Sequence, residues 1–176
     1  LKNVMLRIKL KLFTFIYYIL YIIMNKETVI LDRSTVKIIL DKQMELFTVR
    51  ILSNSYYNQE GFDEFLNYFR NTWKVVNSNN EIYKLYIHIE SSKDNDLPLP
   101  AYMNLLKCIT DINDILKTNC HCICIYTLDA KKWQDVYNFI TKLWNPKENR
   151  PIIFTDNESD KKLFLQSNRL ITNDRA

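Results

Sequence analysis

Glycine is almost missing from this chain: Gly61 is the only one in 176 residues, beside four prolines and three alanines. The shortage excludes whole classes of site, because dinucleotide-binding turns, phosphate-cradling P-loops and the nucleophile elbow each need two or more glycines for positive φ or close backbone approach. Cysteine is also scarce. Of Cys108, Cys120, Cys122 and Cys124, the last three alternate, and alternate residues of a strand point the same way about 7 Å apart, too far for a disulfide. The cysteines therefore suggest a reducing compartment, and a cytoplasmic protein is expected. Acidic residues are absent from positions 1–23, which carry Lys2, Arg7, Lys9 and Lys11. That segment holds the entire net charge of +4: the remaining 20 basic residues balance 20 acidic ones. A neutral remainder lacks the usual electrostatic basis for nucleic-acid binding.

What is present begins with a long apolar run. Leu12 to Met24 is thirteen residues, nearly all apolar, behind the basic flank. It is shorter than the roughly 20 residues a spanning helix needs, and no small-residue cleavage site follows it. Three readings stay open: translated upstream sequence with the protein starting at Met24, a membrane anchor over residues 4–23, or an element of the fold. The chain is accordingly divided into an extension, 1–23, and one α/β domain, 24–176, long enough for a real core.

Within the domain, Thr28 to Asp32, Thr35 to Leu40 and Glu45 to Leu52 read as consecutive strands separated by short polar breaks. After Asn58, a suitable N-cap, Phe62, Phe65, Leu66, Phe69, Trp73 and Val76 recur at helical spacing. Tyr83 to Ile89 is a strand with Tyr83, Leu85, Ile87 and Ile89 on one side and Tyr86 and His88 on the other. Pro98 and Pro100 open a helix over 98–117, with Tyr102, Leu105, Leu106, Ile109, Ile112 and Leu116 as its apolar stripe. Cys120 to Thr127 reads as a strand covered on both faces. A helix after Asp129 carries Trp133, Val136, Tyr137, Ile140, Leu143 and Trp144, and the chain closes with strand Pro151 to Thr155 and helix Asn157 to Gln166, where Leu163, Phe164 and Leu165 are available for packing. The order, strands followed by αβαβαβα, predicts an α/β fold with a single-layer mixed sheet whose parallel part is joined by right-handed crossovers.

This order, and the closing segment Pro151-Ile-Ile-Phe-Thr-Asp-Asn-Glu-Ser-Asp-Lys-Lys-Leu-Phe-Leu165, resemble the STAS domain of anti-sigma-factor antagonists and sulfate-transporter tails. The strand Leu85-Tyr-Ile-His-Ile89 and the loop after it correspond to the family's central strand and its Asp-x-Ser-Gly-Leu loop. Here that loop reads Ser91-Ser-Lys-Asp-Asn-Asp-Leu97, without the Ser-Gly pair. The resemblance implies a non-enzymatic interaction module that binds an unknown protein partner through loop 91–97 and helix 98–117. Ser91, Ser92, Asp94 and Asp96 are its expected contacts, although capping and solvation of a helix start also explain the acids.

The alternative is a small-ligand binder or hydrolytic enzyme at the same strand ends, using His88, Thr127, Asp129 and Asp156. Catalysis has little else behind it, since no oxyanion-hole motif accompanies His88. Cys120, His121, Cys122 and Cys124 lack the turn-borne knuckle of a zinc site and are expected in the core, and no metal or cofactor is expected. Trp133, Trp144, Tyr137 and Tyr102 fall on core stripes rather than on a base-stacking platform.

Overall fold

A computed structural model describes residues 27–52, 58–90, 98–144 and 150–168. Strands β1 (Glu27–Asp32), β2 (Val36–Asp41) and β3 (Leu46–Ile51) form an antiparallel meander. Helix α1 (Gln59–Ser78) leads to β4 (Tyr83–Ile89), then α2 (Leu99–Asp111), α3 (Asn113–Asn119), β5 (Cys120–Thr127), α4 (Ala130–Trp144), β6 (Ile152–Thr155) and α5 (Glu158–Ser167). The six strands lie in sequence order in one sheet, with β3 to β6 parallel. This is the mixed α/β architecture the periodicities predict.

Sequential order has a strong consequence. Right-handed crossovers between neighbouring strands that always step the same way place every crossover helix on the same face. The sheet therefore has a thick side, under α1 to α4, and a thin side. Phe47, Val49, Leu85 and Tyr83 point to the thick side, where they join Phe65, Phe69, Trp73, Val76, Ile112 and Leu116 in the core. Phe47 anchors it, with its ring centroid 5.5 Å from Phe69 and 4.9 Å from Trp73. Arg33 reaches from the β1–β2 turn to Glu64 of α1, at 2.6 and 3.1 Å, and ties the helix to the meander.

The caps follow the sequence. Asn58 accepts from the Glu60 amide at 3.0 Å, and Asn157 from Ser159 and Asp160 at 2.8 and 3.3 Å. In so glycine-poor a chain, left-handed positions fall to other residues. Asn80 (φ 52°), which tolerates that region, turns the chain after α1, and Glu45 (φ 51°), which does not, closes the β2–β3 turn.

Three expectations need correcting. The helix foreseen over 98–117 is two helices, because Ile112 leaves helical geometry (φ −113°, ψ 13°) while staying fully buried. The three alternate cysteines do not share a face. A bulge pairs Tyr83 with Cys120 but Leu85 with Ile123, so β5 carries one extra residue there. Cys120 consequently sits in the thick-side core, while Cys122 and Cys124, on the other side of Ile123, face the thin side. Leu163 is 67% exposed, leaving Phe164 and Leu165 as the half-buried apolar residues of α5. Residues 1–23 lie outside the described residues. Within the latter no helix is long and apolar enough to cross a membrane.

Candidate functional site

The break at Ile112 positions the site. The buried side of α2 carries small residues, Ala101 and Cys108, both fully buried, with Cys108 Sγ 3.6 Å from the Leu66 carbonyl of α1. Small side chains let α2 press against α1. Beyond the break, α3 approaches both α1 and β5, and the Arg150 guanidinium donates to the Leu116 carbonyl at 2.7 Å. A helix held sideways by α1 while its continuation descends onto β5 leaves a wedge of space over the middle of the sheet.

That space is a cavity of about 230 Å³. Its floor is the thick face of four parallel strands: Val49 and Ile51 of β3, Leu85, Ile87 and Ile89 of β4, Ile123 and Ile125 of β5, Ile152 and Phe154 of β6. Along β4 this floor runs ~13 Å, and from β3 to β6 ~14 Å, from the strand rise and spacing. Phe62, Phe65 and Phe69 of α1 form one wall, Trp133, Val136 and Tyr137 of α4 the other, and Tyr102, Leu105, Leu106 and Ile109 of α2 the roof. The polar lining is sparse: the Tyr102 and Tyr137 phenols, Asn113, Thr141 and Arg150. Asn113 and Arg150 gather near the end where α3 meets β5, so the cavity has one more polar end. No histidine, thiol or carboxylate is among the described lining residues.

A second cluster lies on the thin face. His88 sits between Tyr86 and Tyr126, with ring centroids at 6.2 and 5.1 Å. Lys161 of α5 lies over both tyrosines, 5.4 and 4.9 Å from their centroids, and pairs with Glu158 at 2.6 Å. Glu90 is 3.7 Å from His88 Nδ1 and bonds Arg50 at 2.6 Å. Burial holds the His88 pKa below its ordinary value, against the pull of Glu90 and with the help of Arg50 and Lys161. This cluster docks α5 on the sheet through a cation over two rings.

Of the residues singled out from sequence, the four that are described do not converge on one site. Ser91, Ser92, Asp94 and Asp96 lie outside the described residues. His88 pairs with Tyr126 and faces the thin side, so the next residue, Thr127, points to the thick side. Thr127 is buried and accepts from the Asp129 amide at 3.4 Å, closing a turn, while Asp129 and Asp156 are exposed. None of these four lines the cavity. What sequence reading missed is the cavity itself, although its walls are the helical stripes Phe62–Phe69, Tyr102–Ile109 and Trp133–Tyr137 that it assigned to the core. Among the described residues no group of three or more His, Cys, Asp or Glu could hold a metal ion.

The chain matches no protein-family model, no curated protein and no solved structure.

Proposed function

We propose that this chain binds a small apolar or amphipathic molecule, such as a fatty acid, between the sheet and helices α1, α2 and α4. The observation that carries the reading is the cavity of about 230 Å³ with an almost entirely apolar lining. Protein interiors pack as densely as organic crystals, and an enclosed void costs about 24 cal/mol per Å³, so a sealed void of this size would cost up to about 5.5 kcal/mol. Domains have only about 5–15 kcal/mol of stability in all. Water is a poor filler, since apolar cavities stay dry. A hydrocarbon ligand relieves the cost, and the polar groups near Arg150 and Asn113 suit its head group.

The proposal is of binding without turnover, because the lining offers amide, hydroxyl, phenol and guanidinium groups. Docking of a protein partner through residues 91–97 and α2 rests on the STAS resemblance alone, whereas the ligand reading rests on described geometry. The test is an equilibrium titration of the delipidated full chain with cis-parinaric acid, followed by displacement with oleic acid. A saturable one-to-one isotherm that oleate reverses supports the reading. Absence of saturable binding at micromolar protein sinks it.

A further inference from the structure

Charge enters the lining of the cavity at one corner. Among the described lining residues Arg150 is the only charged side chain, and no carboxylate stands with it. The Ile123 amide donates to the Pro151 carbonyl at 3.0 Å, which sets Arg150 at the amino ends of β5 and β6. Arg150 Nη1 donates to the Leu116 carbonyl at 2.7 Å, so the guanidinium is held against α3 and the residue is half-buried. Asn113, on the same short helix, also lines the cavity and adds a side-chain amide.

The opposite corner is apolar. Leu85 pairs with Ile123 and Ile123 with Ile152, whereas Ile51 pairs with Ile89 at the carboxyl ends of β3 and β4. From Ile152 to Ile51 the floor therefore crosses from β6 to β3 and runs the length from Leu85 to Ile89, ~19 Å along the diagonal. One charged corner and a long apolar diagonal match a molecule with an anionic head and a hydrocarbon tail.

The chemistry of the head follows from the guanidinium. A cation in surroundings of low polarity attracts an anion far more strongly than it does in water. Guanidinium and carboxylate fit each other through two parallel hydrogen bonds. An ammonium head finds no counter-ion among the described lining residues. A neutral ester or alcohol forgoes the charge-assisted bond. A phosphate monoester carries close to two negative charges at neutral pH, of which one guanidinium balances only one.

We propose that the ligand is a long-chain monocarboxylate, with Arg150 recognising its head group and the corner at Ile51 and Ile89 receiving its tail. This rests on the ligand-binding reading above and narrows it from amphipathic molecules in general to one charge class.

The test compares cis-parinaric acid with its methyl ester, which share a chain and differ in charge. The ester is the more hydrophobic of the two, so an unselective apolar cavity would prefer it. On the delipidated full chain at pH 7.5 the acid should bind at least ~10-fold more tightly than the ester. Arg150→Gln, which keeps a donor for the Leu116 carbonyl, should weaken the acid at least ~10-fold and change the ester by no more than about twofold. An ester that binds as tightly as the acid overturns the inference and leaves the ligand-binding reading standing; binding of neither overturns both. Dodecyl phosphate that displaces cis-parinaric acid better than dodecanoic acid does would overturn the carboxylate assignment.

A second measurement covers the case in which Arg150→Gln fails to fold. Octanoic acid labelled with carbon-13 at the carboxyl is titrated by NMR, free and bound to the unmodified full chain. The bound carboxyl should lose its charge at lower pH than the free acid, because a neighbouring guanidinium favours the ionised form. A bound carboxyl that titrates at or above the free value overturns the proposal.

Discussion

Enlarging a cavity-lining residue separates a real void from a normally packed core by the sign of its effect. Val136 on α4 lines the cavity and is half-buried. Val136→Phe adds four carbons with little change in helix propensity. At ~0.8 kcal/mol per buried methylene the added carbons are worth up to about 3 kcal/mol. Partial burial and the rotamer entropy of the ring reduce this to a net gain of about 1–2 kcal/mol. For a chain of this length each kcal/mol moves the melting temperature by about 2–4 °C, so a rise of roughly 3–6 °C is expected.

The assay is thermal and urea unfolding of delipidated protein, with Ile38→Phe as the contrast. Ile38 is fully buried and does not line the cavity, so its extra atoms have nowhere to go and should cost about 1–3 kcal/mol. Val136→Phe should also weaken cis-parinaric acid binding by about tenfold or more, because ring and ligand compete for one volume. A loss of stability in Val136→Phe as large as that in Ile38→Phe would refute the cavity, and the proposed function with it.

Three further outcomes follow from particular residues. Phe47→Ala removes the ring that Phe69 and Trp73 pack on and should cost about 3–5 kcal/mol, seen as a fall of roughly 10 °C in the tryptophan-fluorescence melt. Glu45→Gly should stabilise by up to about 1 kcal/mol, since Glu45 sits at φ 51°, where a side chain clashes and glycine does not; urea unfolding reads the midpoint shift. His88 makes stability depend on pH: its folded pKa lies below 6.5, so the unfolded chain takes up the proton first and stability falls as pH drops through the range just below 6.5. His88→Gln should flatten that part of a melting-temperature profile from pH 7.5 to 5, while the loss below pH 4.5 remains. There Arg33 and Lys161 hold Glu64 and Glu158 below their usual range, and protonation ends those pairings.

Most of the fold is legible in the sequence because its elements announce themselves by period. The stripe from Phe62 to Val76 and the alternation from Tyr83 to Ile89 give both element type and buried face, and Asn58 caps where its position suggests. Features that depend on one residue out of step are invisible to that reading. The extra residue in β5 leaves the apolar run Cys120 to Thr127 unchanged while moving Cys120 to the opposite face from Cys122. Ile112 keeps its place in the stripe although the helix axis breaks there, so Leu105 and Leu116 look like one continuous seam.

The candidate site was illegible for a related reason. Periodicity tells which side of a helix turns inward but not how far the opposing wall stands. Tyr102, Ile109, Trp133 and Val136 would show the same spacing whether they met Ile87 and Ile125 directly or across a gap. The gap comes from tertiary arrangement: Ala101 and Cys108 draw α2 onto α1, and the break at Ile112 lowers only α3 to the sheet. Sequence searching for sites looks for titratable groups at loop ends, which led to His88, Thr127, Asp129 and Asp156. In a sheet whose crossovers all lie on one side, the helix layer and the sheet can separate without breaking a single backbone hydrogen bond. The capacity to bind then resides in the residues that look most like ordinary core.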